Sequence, residues 1–311
     1  MTRAVSLKFS LLILAAMLAC VPSASAARRT KAPAKAKPVE APVAAPAMEE
    51  SDTDGDGGWR LSLTPYLWAT KTKSEMRVGP VTAKSTVKFV DAVEMLNYTF
   101  IGNAELRKGR WSLISDTVAL GISEGAESKK SVNFRDPNGK IQAKLRADVS
   151  QDLLIQEVKG TYRIFERKME PDSERRFGID AVAGIRYLYM DNDVQTKVSV
   201  DATGPGGNTV SRSTKRRFGS TTQFVDPLVG ARVVYDVTDR LAVAASGDVG
   251  GFGVGSDSAL SGLAYAKYQL SKHWSVLGGY KYLYMDYDGG SDGFTNTYEG
   301  PVAALTYSVN F

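Results

Sequence analysis

DTDGDGGWRLSLTPYLW, residues 52–68, has two halves that ask for different proteins. The first half sets Asp52, Asp54, Asp56 and Gly57 at the spacing of an EF-hand calcium loop, which begins with alternating oxygen ligands and then a glycine. Such a loop closes with a bidentate glutamate at its twelfth position. That position here is Leu63, which offers no oxygen, and no helical pattern flanks the stretch. The second half alternates. Trp59, Leu61, Leu63, Pro65 and Leu67 share one face of an extended chain, and Arg60, Ser62, Thr64 and Tyr66 share the other. The stretch is therefore read as a polar lead-in to a β-strand, with no metal bound.

The same alternation runs to the end of the chain. In 301–311, Pro301, Ala303, Leu305, Tyr307, Val309 and Phe311 oppose Gly300, Ala304, Thr306, Ser308 and Asn310. Further alternating segments lie near 98–108, 110–122, 144–165, 176–192, 222–237, 240–253, 258–270 and 274–287. Tight turns fall at Lys108-Gly109, Thr238-Asp239-Arg240 and Ser271-Lys272-His273, with a slightly longer one at 166–175. Longer polar excursions fall near 123–143, 199–221, 252–258 and 288–294. Short and long connections alternate, as they do between the two rims of a transmembrane barrel. For the strand directions to close, 70–97 must be one excursion, with a small hairpin over Met76–Val90 and a short helix over Phe89–Leu96. The fold expected is all-β: an antiparallel transmembrane β-barrel of about ten strands, with eight or twelve as alternatives, behind a disordered N-terminal tether.

Residues 1–26 read as an export signal. Arg3 and Lys8 precede an apolar run, Phe9 to Val21, that is too short to span a bilayer as a mature helix, and Ala24-Ser25-Ala26 is a small-x-small cleavage site. Cys20 is the only cysteine. The rival reading, a lipidated Cys20, is poorly served by Met17-Leu18-Ala19. The mature chain then has neither disulfide nor thiol chemistry. Residues 27–58, rich in Ala, Pro and Lys and then acidic, lack the apolar surface to fold and read as a disordered periplasmic linker. The barrel occupies 59–311. A formal charge of +5 comes from Lys and Arg scattered among Asp and Glu, so no nucleic-acid partner is expected. A mean hydropathy of −0.19 excludes a polytopic helical membrane protein.

Alternation alone also suits a soluble barrel. Three features favour the outer membrane of a Gram-negative cell: the export signal on a cysteine-free chain, the aromatic placement, and the terminal YSVNF. Trp111, Trp274, Tyr187, Tyr189, Tyr282 and Tyr284 fall near strand ends on the apolar face, like an interfacial girdle. SLTPYLW (62–68), NAELRKGRWSLISD (103–116) and the closing aromatic resemble the small outer-membrane barrels of the OmpA/OmpW-type superfamily, in a branch with a TPYLW start. The resemblance covers 59–311. It implies fold and location, and it implies recognition of the C-terminal strand, through Tyr307, Val309 and Phe311, by the barrel-assembly machinery. It brings no catalytic motif.

The polar face carries the acids Glu105, Asp116, Glu157, Asp180, Asp226 and Asp248 and the bases Arg60, Arg107, Lys159, Arg163, Arg186, Arg232, Lys267 and Lys281. A narrow lumen holds unpaired ions only at high cost, so these residues should pair across neighbouring strands and plug it. In a wider barrel they would line a weakly anion-favouring pore. GIRYLYMDND (184–193) and GYKYLYMDYD (279–288) form an internal repeat. Its Arg186 and Lys281 fall on the polar face and its tyrosine pairs on the apolar face. Asp191, Asp193, Asp286 and Asp288 are candidates to hold divalent cations that bridge lipopolysaccharide phosphates. Lys215-Arg216-Arg217, in the expected 199–221 loop, are candidates to meet those phosphates directly, or to form a solvated loop edge. His273, the only histidine, sits in a tight turn. No enzyme, cofactor or metal is expected. The function expected is a structural or surface-interaction barrel, its partners outer-membrane lipid and lipopolysaccharide. The alternative is a small porin-like channel for hydrophilic or amphipathic solutes.

Overall fold

A computed structural model of the chain describes residues 58–78, 81–133, 140–169, 175–203, 208–290 and 292–311. The signal, nearly all of the linker and the DTDGDG stretch lie outside these residues. The described residues form twelve strands: β1 (Arg60–Trp68), β2 (Lys71–Val78), β3 (Val81–Val87), β4 (Leu96–Lys108), β5 (Trp111–Asn133), β6 (Lys140–Lys168), β7 (Arg176–Thr203), β8 (Thr209–Asp236), β9 (Leu241–Gly250), β10 (Ser258–Gln269), β11 (Trp274–Asp288) and β12 (Asp292–Asn310). Ten of them, β1 and β4 to β12, close into an antiparallel barrel in the order β1-β4-β5-β6-β7-β8-β9-β10-β11-β12, with β12 returning to β1. The other two form the expected hairpin, which extends β12 at the far rim through β2. A short helix, α1 (Phe89–Met95), leads back into β4.

Closure is a register match. β12 pairs with β1 from Arg60↔Asn310 to Trp68↔Val302. The two chain ends lock: Trp59 N–H donates to Phe311 O at 2.7 Å, and Phe311 N–H donates to Trp59 O at 2.9 Å. A closed barrel leaves no unpaired edge, as an apolar surrounding demands.

The alternation sorts side chains as a barrel wall requires. Leu67 is 70% exposed on the outer wall, beside Leu63, Phe100, Trp111, Val229, Leu260, Tyr280 and Leu305. An apolar belt of this extent is unstable in water and suits lipid. The inward face holds the buried ions. Curvature is built into the repeat. A Cβ on Gly184 would lie 2.2 Å from Val158 O, and one on Gly279 would lie 2.3 Å from Ala264 O. Only glycine permits so close an approach of backbones two positions before Arg186 and Lys281.

Wall height is uneven. β6, β7 and β8 run 29, 28 and 28 residues, whereas β9 and β10 run 10 and 12. A tilted strand of β7's length rises roughly 70 Å, more than twice a ~25 Å apolar band. The segments expected to be polar excursions at 123–143 and 199–221 are thus mostly paired strand, β5 with β6 to Asn133↔Lys140 and β7 with β8 to Thr203↔Thr209. Beyond the apolar band nothing demands outward-facing apolar residues, so the alternation fades while the backbone ladder continues. On the low side, the β9–β10 loop turns inward. Its fully buried Ser256 donates from N–H and Oγ to Asp226, at 2.7 and 2.6 Å.

Candidate functional site in the barrel bore

One row of the ladder carries the main charges. Asp116 faces Glu157, Glu157 faces Arg186, and Arg186 faces Asp226, across β5, β6, β7 and β8. Arg186 is fully buried. Its Nε donates to Glu157 at 2.6 Å and its Nη2 to Asp248 at 2.7 Å. Lys159 completes the group, 2.6 Å from Glu157 and 2.8 Å from Asp248. Two acids and two bases form a ring in which every member meets both opposite charges. Desolvating an ion costs several kcal/mol, and multiple short contacts of this kind offset it.

A second group lies nearer the tight-turn rim. Arg232 reaches Asp180 at 2.8 Å and Glu105 at 3.1 Å, and Arg107 reaches Glu105 at 3.0 Å. Arg163 also pairs with Asp180. A third centres on Lys281. Its ammonium lies 3.2 Å from Asp116, donates to Tyr66 Oη at 2.8 Å, and sits 5.0 Å over the Trp68 ring. Tyr66 Oη in turn donates to Asp116 at 2.8 Å.

The sequence led us to expect pairs across neighbouring strands, but several pairs span the bore between strands that are not adjacent. Arg186–Asp248 joins β7 to β9, Arg232–Glu105 joins β8 to β4, and Lys281–Asp116 joins β11 to β5. The bore is narrow enough for side chains to span it. Three candidates stand apart. Lys267 faces the bore with no ion-pair partner among the described residues. Arg60, at the tight-turn rim, donates from Nε to the Asn310 amide at 2.9 Å. Asp226 bonds the inturned loop instead of a base.

One step above the charged row, the bore becomes apolar. Val118 faces Ile155, Ile155 faces Leu188, and Leu188 faces Phe224. Leu153, Met190, Leu283, Met285, Trp68 and Phe294 complete the layer. Leu188 and Met285 are 0% exposed. Phe224 stacks on Tyr287 with centroids 5.2 Å apart, closing the layer above the inturned loop. This layer was missed in the sequence. Its signal was the repeat, where Leu and Met stand two and four positions after the basic residue and so share its inward face.

The repeat aspartates point outward, each bound to a neighbour. Asp191 accepts from Thr221 at 2.5 Å, Asp286 accepts from Thr295 at 2.6 Å, and Asp193 pairs with Arg217. Asp288 pairs with Arg77 at 2.5 Å. Arg217 holds the Asp193 carboxyl below its usual range, and Arg77 with the Gly290 N–H does the same for Asp288. No group of three acids, histidines or cysteines placed to hold a metal ion occurs among the described residues. Lys215, Arg216 and Arg217 lie within β8, not in a loop. His273 is exposed in the β10–β11 turn, its Nδ1 3.0 Å from Ser308 O. Of the C-terminal residues, Tyr307 packs on Trp274 with centroids 5.0 Å apart, and Phe311 is exposed at the tight-turn rim.

No protein-family model matches the sequence, and no curated protein does. Among solved structures, the chain is similar to the attachment invasion locus protein Ail of Yersinia pestis, solved with the heparin analogue sucrose octasulfate. That match has 9% identity and a TM-score of 0.26, covering 81% of this chain and 99% of Ail. It is similar to a Pseudomonas aeruginosa FadL homologue at 9% identity and a TM-score of 0.28, covering 81% and 90%. It is also similar to the translocator domain of the autotransporter NalP from Neisseria meningitidis at 11% identity and a TM-score of 0.26, covering 82% and 90%. All three are barrels at great distance from this chain. The architecture of this chain rests on its own strand register.

Proposed function

We propose that the chain is a Gram-negative outer-membrane barrel with a closed bore, a non-catalytic membrane platform that presents the tall β5–β8 sheet to the cell exterior. The observation that carries this is the filled bore, an ionic ring capped by an apolar layer, with Arg186, Leu188, Asp226 and Met285 all fully buried. A hydrated pore would leave its lining ions exposed. The apolar outer wall and its aromatic rims support the membrane location. SLTPYLW and the closing aromatic support kinship with OmpA/OmpW-type barrels, the linker then lying in the periplasm. In this reading Tyr307, Val309 and Phe311, on the outer face of the closing strand, are what the assembly machinery recognises.

Conductance across planar bilayers tests the proposal. The purified protein should be silent at all voltages. Steady openings that vanish when Arg186 and Lys281 are neutralised would establish instead a small channel for hydrophilic or amphipathic solutes. Deletion of Phe311 should cut the folded fraction in the outer membrane several-fold, read by heat-modifiable gel migration.

A further inference from the structure

Above the tyrosine belt, the outer face of β6, β7 and β8 changes character. Arg146 lies directly opposite Lys197, and Lys197 directly opposite Lys215. Like charges set directly across strands destabilise a sheet. Arg146 has a partner in Asp148 at 3.1 Å, but Lys197 and Lys215 have none among the described residues. The next row outward is Lys144, Ser199 and Ser213, so hydroxyls flank the cations. Arg212 and Arg216 border the same concavity, which encloses about 720 Å³. Asp148 and Asp201 also line it, but cations outnumber acids there, and two lysines without an ion-pair partner beside hydroxyls are the chemistry that binds a phosphorylated sugar.

Position selects the source. This face continues the lipid-facing wall, so its ligand arrives from the leaflet beside the barrel, not through the bore. Lys197 is eight residues beyond Tyr189 on β7, which sets it roughly 20 Å above the belt for a tilted strand. The intervening rows carry acids, with Asp152 directly opposite Asp191 and then Asp193. Arg217 neutralises Asp193, so the Asp152–Asp191 row is the one that repels phosphates at the level of the lipid anchor, while the basic row attracts phosphates further out. Resting on the membrane reading above, we propose that Arg146, Lys197 and Lys215 bind phosphoryl groups on the inner saccharide of an outer-leaflet glycolipid.

The test uses the full chain folded in detergent. The probes are lipopolysaccharide with a phosphorylated inner core, the same material after phosphatase treatment, and a soluble heparin fragment. Core phosphates should tighten binding at least tenfold. That gain should disappear in the Lys197→Glu/Lys215→Glu double variant and should shrink with added salt. Both side chains are exposed, so heat-modifiable migration should be unchanged in the variant. If it is not, Lys197→Gln/Lys215→Gln makes the same comparison. Equal affinity for the two lipopolysaccharides, or a charge-reversed variant that binds like the parent, overturns the proposal. So does heparin binding as tightly as the phosphorylated glycolipid, which would assign the cations to a ligand from the medium. A chain that folds in detergent but ignores core phosphates defeats only this inference. One that stays soluble without detergent defeats the membrane reading as well.

Discussion

The charged row Asp116–Glu157–Arg186–Asp226 and the apolar row Val118–Ile155–Leu188–Phe224 lie two residues apart on the same four strands, facing the same bore. Both line the interior of the bore, but they hold the barrel by different physics. The charged row works only with particular partners. Arg186 needs Glu157 from β6 on one side and Asp248 from β9, beyond β8, on the other. It therefore specifies strand order and register. The apolar row needs volume, and several side chains of similar size would serve. One layer defines which barrel forms, and the other seals it.

Removing one acid from the ionic ring should have the largest effect. Glu157→Ala leaves Arg186 and Lys159 sharing Asp248 inside the bore, and should cost about 3–5 kcal/mol. Urea unfolding in detergent micelles, followed by tryptophan fluorescence, measures it. The comparison sharpens if Glu157→Leu and Arg186→Met together cost much less than Glu157→Ala alone, since no orphaned arginine remains. In the apolar layer, Leu188→Ala should cost about 2–5 kcal/mol, and Leu188→Met under about 1.5 kcal/mol. Equal costs for the two Leu188 variants in the same assay would mean that the layer is not close-packed. At the junction, Ser256→Ala removes a hydroxyl from the buried Asp226 and should cost about 1.5–3 kcal/mol. Hydrogen exchange of Gly251–Asp257 should then accelerate, because Ser256 keeps only its N–H bond to Asp226.

The two rows were unequally legible in the sequence. Glu157, Arg163, Asp180, Arg186, Asp226, Arg232, Asp248 and Lys281, grouped by alternation on one face, are buried together, because a strand's period of two leaves only two faces. The partners across the bore were not legible. Lys281 meets Asp116 at a separation of 165 residues, a contact set by barrel radius and shear, which no local pattern encodes. The apolar layer was obscured for a different reason. In Tyr187-Leu188-Tyr189-Met190 both faces are apolar, so alternation gives no contrast there. The tall sheet was hidden by the reverse case. Residues such as Lys197 and Ser199 look like loop because, beyond the belt, neither face needs to be apolar. Only their ladder with Arg146 and Lys144 shows them to be strand.

The smallest expected effect lies where the sheet leaves the bore altogether. Asp288 ties β11 to the β2–β3 hairpin through Arg77, and its folded-state pKa is lowered, first by that hydrogen bond and then by the Gly290 N–H. A depressed carboxylate pKa adds stability that is fully present above the unfolded value, near 3.9, and is lost as pH falls through the folded value. The hairpin should therefore hold at neutral pH and fray on acidification below about pH 4, while the bore layers keep the barrel folded. Asp288→Asn should reproduce the acid behaviour at pH 7. Hydrogen exchange of Lys71–Val78 would rise in the variant, whereas Leu188 and Met285 stay protected. The group is fully exposed, so the shift should be confined to the hairpin and should weaken further in high salt. Protection lost together in hairpin and bore would mean that the two act as one cooperative unit, and that the far rim helps to hold the layers beneath it.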